Sequence, residues 1–338
     1  MHNSRMLLAL AGLALTALAP TAAANGRNPG SVLIFPVHRS GPNAFSVITV
    51  TNTNLQPATP ISLGGSTNLH YEYVNVNPGT SPFRPLNCVI FDRVEFLTPA
   101  DTLSVLTSCH NAVAGTVEGY VVVTAEDPTQ FQTPWAFDYL VGSEIVISAS
   151  GIGYSVNALP FSANMAPMTP TDLDGDGKRD FDNTEYDAIP DYLMVDSFVA
   201  VATSQLTLLN LTGGDQDINT VLLSIWNDNE FPLSTTLAFN CWFDQPLSRV
   251  SPLFTQTFMS SVPNDPRELD INCDGVGELE TGWIIIDSID LSQPGGATLY
   301  DDGAFLGAIT TGPGTNLVGG RLLWESVETQ PNGQFFNR

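Results

Sequence analysis

Asp172, Asp174 and Asp176 stand at alternate positions and are followed by Gly177, Lys178 and Asp180. Alternate carboxylates on a tight turn bring several hard oxygen donors to one point, and glycine at the sixth position allows the sharp bend this needs. With Asp172 as the first position, side-chain donors fall at 1, 3, 5 and 9, and the carbonyl of Lys178 falls at 7. Oxygen donors in this number suit calcium rather than zinc, which prefers nitrogen and sulfur. Asp182 or Glu185 is expected to add a further carboxylate. Ninety-eight residues on, Asp270, Asn272, Asp274, Gly275 and Glu278 repeat the pattern, with Cys273 inside the loop. The competing reading of both stretches is a solvated acidic turn.

The first stretch resembles the loops of dockerins, thrombospondin type 3 repeats and EF-hands, and the second resembles the dockerin pattern Asp-x-Asn-x-Asp-Gly. The resemblance implies bound calcium at both. It ends at the loop itself. Position 12 is Asn183, where an EF-hand has a bidentate glutamate, and Arg179 takes the apolar position 8. Met165-Ala-Pro-Met-Thr-Pro170 is a poor helix. The wide separation of the loops, with strand-like sequence between them, does not support the cohesin binding of dockerins.

The elements that must hold these loops read as strands. Ser31 to Phe35, Phe45 to Val50, Leu69 to Tyr73, Glu118 to Thr124, Glu144 to Ser148, Ser197 to Leu211, Val221 to Trp226, Leu237 to Phe243 and Trp283 to Ile286 are rich in β-branched and aromatic residues. Turn clusters such as Gly64-Gly65 and Asn77-Pro-Gly79 separate them. A short helical turn is expected within 183–193. The halves look like diverged copies: Val47 to Asn54 matches Leu222 to Asn229, Glu118 to Asp127 matches Thr281 to Asp290 without a gap, and Tyr139 to Gly142 matches Phe305 to Gly307. The expected fold is all-β, with two tandem β-sandwich, immunoglobulin-like domains at 30–165 and 195–330. They are joined by a calcium-loop linker at 166–194.

Arg5, an apolar run from Leu7 to Ala19, and Ala22-Ala23-Ala24 read as a secretory signal at 1–24, cleaved after Ala24. The run is too short to span a bilayer. The location expected is extracellular, cell-surface or periplasmic. The mature part holds 35 acids against 10 arginines and lysines, a formal charge of −25. Nucleic acid and anionic membranes both need a basic face, so neither is an expected partner. Cys88, Cys109, Cys241 and Cys273 allow three pairings. Cys88–Cys109 and Cys241–Cys273 are expected, because each closes within one half, worth roughly 3 kcal/mol apiece in the chain-entropy model.

No nucleophile elbow, zinc-protease helix or phosphate loop occurs, and His38, His70 and His110 all lie in the first half. No catalytic residue and no organic cofactor is assigned. A glycosidase needs only two carboxylates, and nothing here singles out a pair. Trp226, Trp242 and Trp283 sit in apolar strands, where a core role is expected, and an exposed Trp135 would favour sugar binding. Gly30 to Pro36, Glu95 to Leu103 with His110-Asn111, and Gly119 to Asp127 with Tyr139 to Gly142 resemble a group of uncharacterised secreted bacterial β-sandwich proteins, which implies an exported habitat and no mechanism. The expectation is a non-catalytic, calcium-stabilised structural or adhesion protein. Its partner would be a cell-surface polymer or another surface protein. The alternatives are a carbohydrate-binding module or a secreted glycan hydrolase.

Overall fold

The computed structural model describes residues 28–76, 88–113, 115–130, 132–149, 151, 153–190, 192–211, 218–262, 269–288, 304–312, 319–325 and 334–335. The signal and its cleavage point lie outside them. The protein is all-β, with several antiparallel sheets arranged as β-sandwiches. The first half contains β1 (Val32–Ser40), β2 (Phe45–Asn52), β3 (Thr67–Val76), β4 (Val89–Leu97), β5 (Thr102–Leu106), β6 (Val117–Glu126), β7 (Leu140–Ile147), β8 (Gly153–Asn157) and β9 (Leu159–Phe161). A two-residue strand, β10 (Arg179–Asp180), follows. The second half contains β11 (Tyr192–Val199), β12 (Gln205–Asn210), β13 (Asn219–Asn227), β14 (Pro232–Phe239), β15 (Trp242–Pro246), β16 (Thr281–Ser288), β17 (Phe305–Thr311), β18 (Gly319–Leu322) and β19 (Trp324–Glu325). The last described strand is β20 (Gln334–Phe335), which pairs with β10. Short helices occupy Thr107–His110 (α1), Leu247–Val250 (α2) and Gln256–Met259 (α3).

The two halves follow one connectivity. In the first, one sheet runs β4-β3-β6-β1-β9 and the facing one β5-β2-β7-β8, with β1 and β2 touching only at Ser40 and Phe45. In the second, the orders are β14-β13-β16-β11-β19 and β15-β12-β17-β18. The register agrees in detail. A bulge interrupts β1 between Phe35 and His38 opposite Gly119, and another interrupts β11 between Val195 and Phe198 opposite Gly282. A side chain at Gly119 would strike the Val74 carbonyl, and one at Gly282 the Trp226 carbonyl, so both strands need glycine there. Gly142 and Gly307 also hold corresponding places, opposite Val50 and Leu208. Two of the three sequence matches are thus in register. The match of Val47–Asn54 to Leu222–Asn229 is not: by connectivity β2 corresponds to β12, and β13 to β3.

Three apolar cores result. Leu33, Phe35, Tyr71, Val121 and Phe137 fill the first sandwich, and Val195, Phe198, Leu223, Phe243 and Ile284 the second. The third lies between them. It joins Val32, Ile34, Val74 and Val122 on the outer face of the first sandwich to Leu209, Trp242 and Leu306 on the outer face of the second. Strands β1, β3 and β6 are therefore buried on both faces; β1 and β6 read as apolar runs at Val32 to Val37 and Tyr120 to Val123, whereas β3 alternates, with His70 and Glu72 on its outer face. Arg39 locks this junction: its guanidinium pairs with Glu118 of its own half and Asp244 of the other, and lies 5.2 Å from the centre of the Trp242 ring. Trp242 Nε1 donates to the Pro36 carbonyl at 3.0 Å.

Several expectations are corrected. Ser197 to Leu211 is not one strand, because a turn at Ala200 to Ser204 divides β11 from β12, closed by Ser204 Oγ donating to the Val199 carbonyl. Leu237 to Phe243 likewise breaks at Cys241, whose φ of 58° lies in the left-handed region. The helical turn expected within 183–193 is a non-helical turn, with Asn183 at φ 67°. The expected disulfides are replaced by Cys88–Cys241, with Cα atoms 6.2 Å apart. Cys109 sits on α1 and Cys273 in the second acidic loop, and both are exposed free thiols. The pairing crosses the halves because Cys241 lies in the joint core and Cys88 packs against it. Closing 153 residues, the link contributes about 5 kcal/mol in the chain-entropy model, more than either short loop.

Alkylation of the native, unreduced protein should label Cys109 and Cys273 alone, and peptide mapping should recover Cys88 joined to Cys241. A Cys88–Cys109 peptide would contradict the described junction. Arg39→Met should destabilise the protein by about 3 kcal/mol in denaturant titration, because it leaves Asp244 buried without its cation.

Candidate metal centres

Both acidic loops fold into the same hydrogen-bond ladder. In the first, Asp172 accepts from the backbone N–H of Gly175 at 2.8 Å and of Gly177 at 3.2 Å, Asp174 from Asp176 at 3.1 Å, and Asp176 from Lys178 at 2.8 Å. In the second, Asp270 accepts from Cys273 at 2.5 Å and Gly275 at 2.7 Å, Asn272 from Asp274 at 2.9 Å, and Asp274 from Val276 at 2.9 Å. Each bond joins the same pair of loop positions in the two loops. The chain can follow this path because Gly175, Gly177 and Gly275 have φ of 74°, 74° and 89°.

The ladder turns carboxylates toward one point. One oxygen each from Asp172, Asp174 and Asp176 lies within 4.8 Å of the others, and the same holds for Asp270, Asp274 and Glu278. Oxygens bound to one calcium at 2.3–2.6 Å are at most roughly 5 Å apart, so both trios are close enough to share a single ion. Asp180 does not join the first trio; its backbone N–H donates to Glu185. Asn272 instead ties the second loop together, its amide donating to Glu278 while Glu278 accepts from Ile271 at 2.9 Å. Lys178 Nζ lies 2.9 Å from Asp176 Oδ2 and holds that carboxyl below its usual range. The Asp270 carboxyl is held down by the Gly275 N–H and the other amides that reach it.

Neither Asp182 nor Glu185 joins the first trio, and Glu185 has another place. It is buried, and its two oxygens accept from Leu173 at 2.6 Å and Asp180 at 3.2 Å, closing the first loop from behind. Burial, with Asp180 and Asp172 nearby, pushes its pKa up to about 7. The loop's flanks run into the joint core: Phe181, Tyr186 and Ile189 belong to it. Arg179, which departs from the EF-hand pattern, is buried and pairs with Glu72 on β3. The second loop is clamped by Leu269 and Leu279, which bridge as a β-pair, and lies on the surface of the second sandwich.

The three histidines of the described residues are buried. Burial and the charge of Arg39 hold the His38 imidazole down at about 3. His70 Nδ1 lies 3.0 Å from Glu126, and His110 on α1 lies between the Tyr73 hydroxyl at 2.7 Å and Glu95 at 3.2 Å. Trp135 is buried against Phe137 and donates to Thr67, and Trp242 is in the joint core. Trp226 and Trp283, expected in the core, stand instead on the outer face of the second sandwich. A groove of about 970 Å³ separates β2, β7 and β8 from β18 and β19, lined among others by Thr49, Thr51, Ser143, Asn157, Arg321 and Trp324. No helix among the described residues is long and apolar enough to cross a membrane. No protein-family model, curated protein or solved structure matches the chain.

Proposed function

We propose that this chain is an exported, non-catalytic structural or adhesion protein that binds calcium at two loops, and that its halves are copies of one sandwich. The observation that carries the reading is the shared ladder: two loops far apart in sequence, on different surroundings, converge their carboxylates by the same bonds. The ligands at the first loop are Asp172, Asp174, Asp176 and the carbonyl of Lys178; Asp180, the expected ninth-position donor, stands outside the trio. At the second they are Asp270, Asp274 and Glu278, supported by Asn272. Calcium supplies the positive charge that lets these carboxylates crowd together. At the first loop its effect reaches the junction, because Arg179 and Phe181 follow the ligands directly and are buried there. The repeated strand order and the matching bulges support the duplication.

Calorimetric titration of chelator-stripped mature protein should find two calcium sites. Asp174→Ala with Asp176→Ala should leave one, and Asp270→Ala with Asp274→Ala should leave the other. Calcium at a hundredfold over Kd should stabilise the wild type by about 2.7 kcal/mol per site. Absence of binding heat together with no stabilisation would reduce both loops to acidic turns.

A second reading, a carbohydrate-binding module, draws on the groove, whose hydroxyl and amide lining is closed on one side by a 59% exposed Trp324. It expects retention on a polysaccharide column that Trp324→Ala abolishes. Equal elution of wild type and variant across a glycan panel would remove it.

A further inference from the structure

In the first sandwich, the outer face of β3, β6, β1 and β9 is covered by the second sandwich together with the 163–190 segment, while Val94 and Phe96 on β4 stay 46% and 48% exposed. Val32, Ile34, Val74, Tyr120, Val122 and Leu159 all belong to the joint core and are at most 3% exposed. The registers carry each of these positions onto the second half. Ile34 opposite Val122 becomes Met194 opposite Ile285. Val74 opposite Tyr120 becomes Trp226 opposite Trp283. Ile34 opposite Leu159 becomes Met194 opposite Trp324, and Val32 becomes Tyr192. All six counterparts are apolar or aromatic, but here no sandwich covers them among the described residues. Trp324 is 59% exposed, Tyr192 and Trp283 are 36% exposed each, and Met194, Trp226 and Ile285 are partly open. A sheet face meant for water alternates to polar residues. This one gathers six apolar or aromatic residues beside Ser224 and Asp287, and His70 of the covered face becomes Leu222.

We propose that a second copy of this chain covers the face, two outer sheets packing against each other about a two-fold axis. In the first half this face takes the sheet β15-β12-β17-β18 of the other sandwich as part of its cover. The tryptophans favour a sheet over a sugar: Trp226 and Trp283 stack on each other with centroids 4.3 Å apart and planes 12° from parallel. Neighbouring-strand rings stacked in this way stand up from the sheet as a ridge. A ridge interdigitates with a facing sheet, whereas a sugar platform needs open ring faces. Head-to-tail stacking of copies is disfavoured. It would place the apolar face on β5-β2-β7-β8, where Thr51, Thr102 and Ser143 stand in place of Leu209, Trp242 and Ala308. Among the described residues that sheet exposes Leu106 and Ile145, at 39% and 52%, whereas the same face on a second copy offers the whole six-residue cluster, as a two-fold contact requires. Five strands at about 4.8 Å spacing and up to about 25 Å long give roughly 500 Å² per copy, at the lower edge of specific interfaces, so the dimer is reversible.

Sedimentation equilibrium of the mature, disulfide-bonded protein, with calcium and with chelator, should show a monomer–dimer equilibrium over micromolar to submillimolar concentration. Trp283→Thr with Ile285→Thr should weaken it at least tenfold. Thr51→Glu, on the opposite sheet, should leave it unchanged. Should the double variant fail to fold, Trp324→Ser on the short edge strand β19 should weaken the dimer, and the wild-type tryptophan emission should shift to the blue as the dimer forms. A monomer at every concentration, a dimer indifferent to these face variants, emission unchanged across dimerisation, or a dimer lost in Thr51→Glu would each overturn the proposal. So would a monomer that binds a polysaccharide through Trp283.

Discussion

Burial of β1, β3 and β6 on both faces is the constraint on which the rest of the structure depends. Alternate residues of one strand serve different cores, Leu33 and Phe35 inward and Val32 and Ile34 outward. A strand with water on one side can slide by a residue only by exposing its apolar set; a strand with apolar residues on both sides is not fixed by that pattern alone. Here the register is held by the bulge at His38, by Gly119, and by the polar lock of Arg39 with Glu118 and Asp244. Arg39 is costly to bury, and its two carboxylates with the Trp242 ring offset that cost while setting how one half meets the other.

The same junction explains the segment between the sandwiches. It crosses the outer face of the first sandwich, with Phe181 and Tyr186 packed beneath it and Arg179 paired to Glu72. The first acidic loop is the exposed bulge of an otherwise anchored segment. Its carboxylates repel one another, and the ladder of backbone N–H groups answers part of that repulsion. The proposed ion would answer the remainder. A formal charge of −24 makes the chain as a whole sensitive to such neutralisation, although only the loops concentrate the charge.

Much of this was legible in the residues, and the failures share one cause. Strand type, the in-register match around Gly119 and Gly282, and the loop glycines depend on local chemistry, and each was readable. The disulfide was not, because Cys88 and Cys241 meet only through the packing of one half on the other, and proximity along the chain pointed elsewhere. Trp226 and Trp283 misled for a related reason: an apolar strand reads as core whether its second face meets its own chain or none. The unbroken apolar character of Val121-Val122-Val123 did carry the signal of two-sided burial, which the alternating surroundings of a lone sandwich would not need. Glu185 lies beyond the twelve-residue loop pattern, so only the fold could place it behind the loop as the acceptor for Leu173 and Asp180.

The central claim is that two sandwiches, one shared core and a calcium loop anchored to that core form one cooperative unit. Differential scanning calorimetry of the oxidised protein, chelator-stripped and calcium-loaded, tests it most directly. The account predicts a single transition in each state, moved upward as a whole by calcium. Two separate transitions, or a single one that calcium leaves in place, would contradict it.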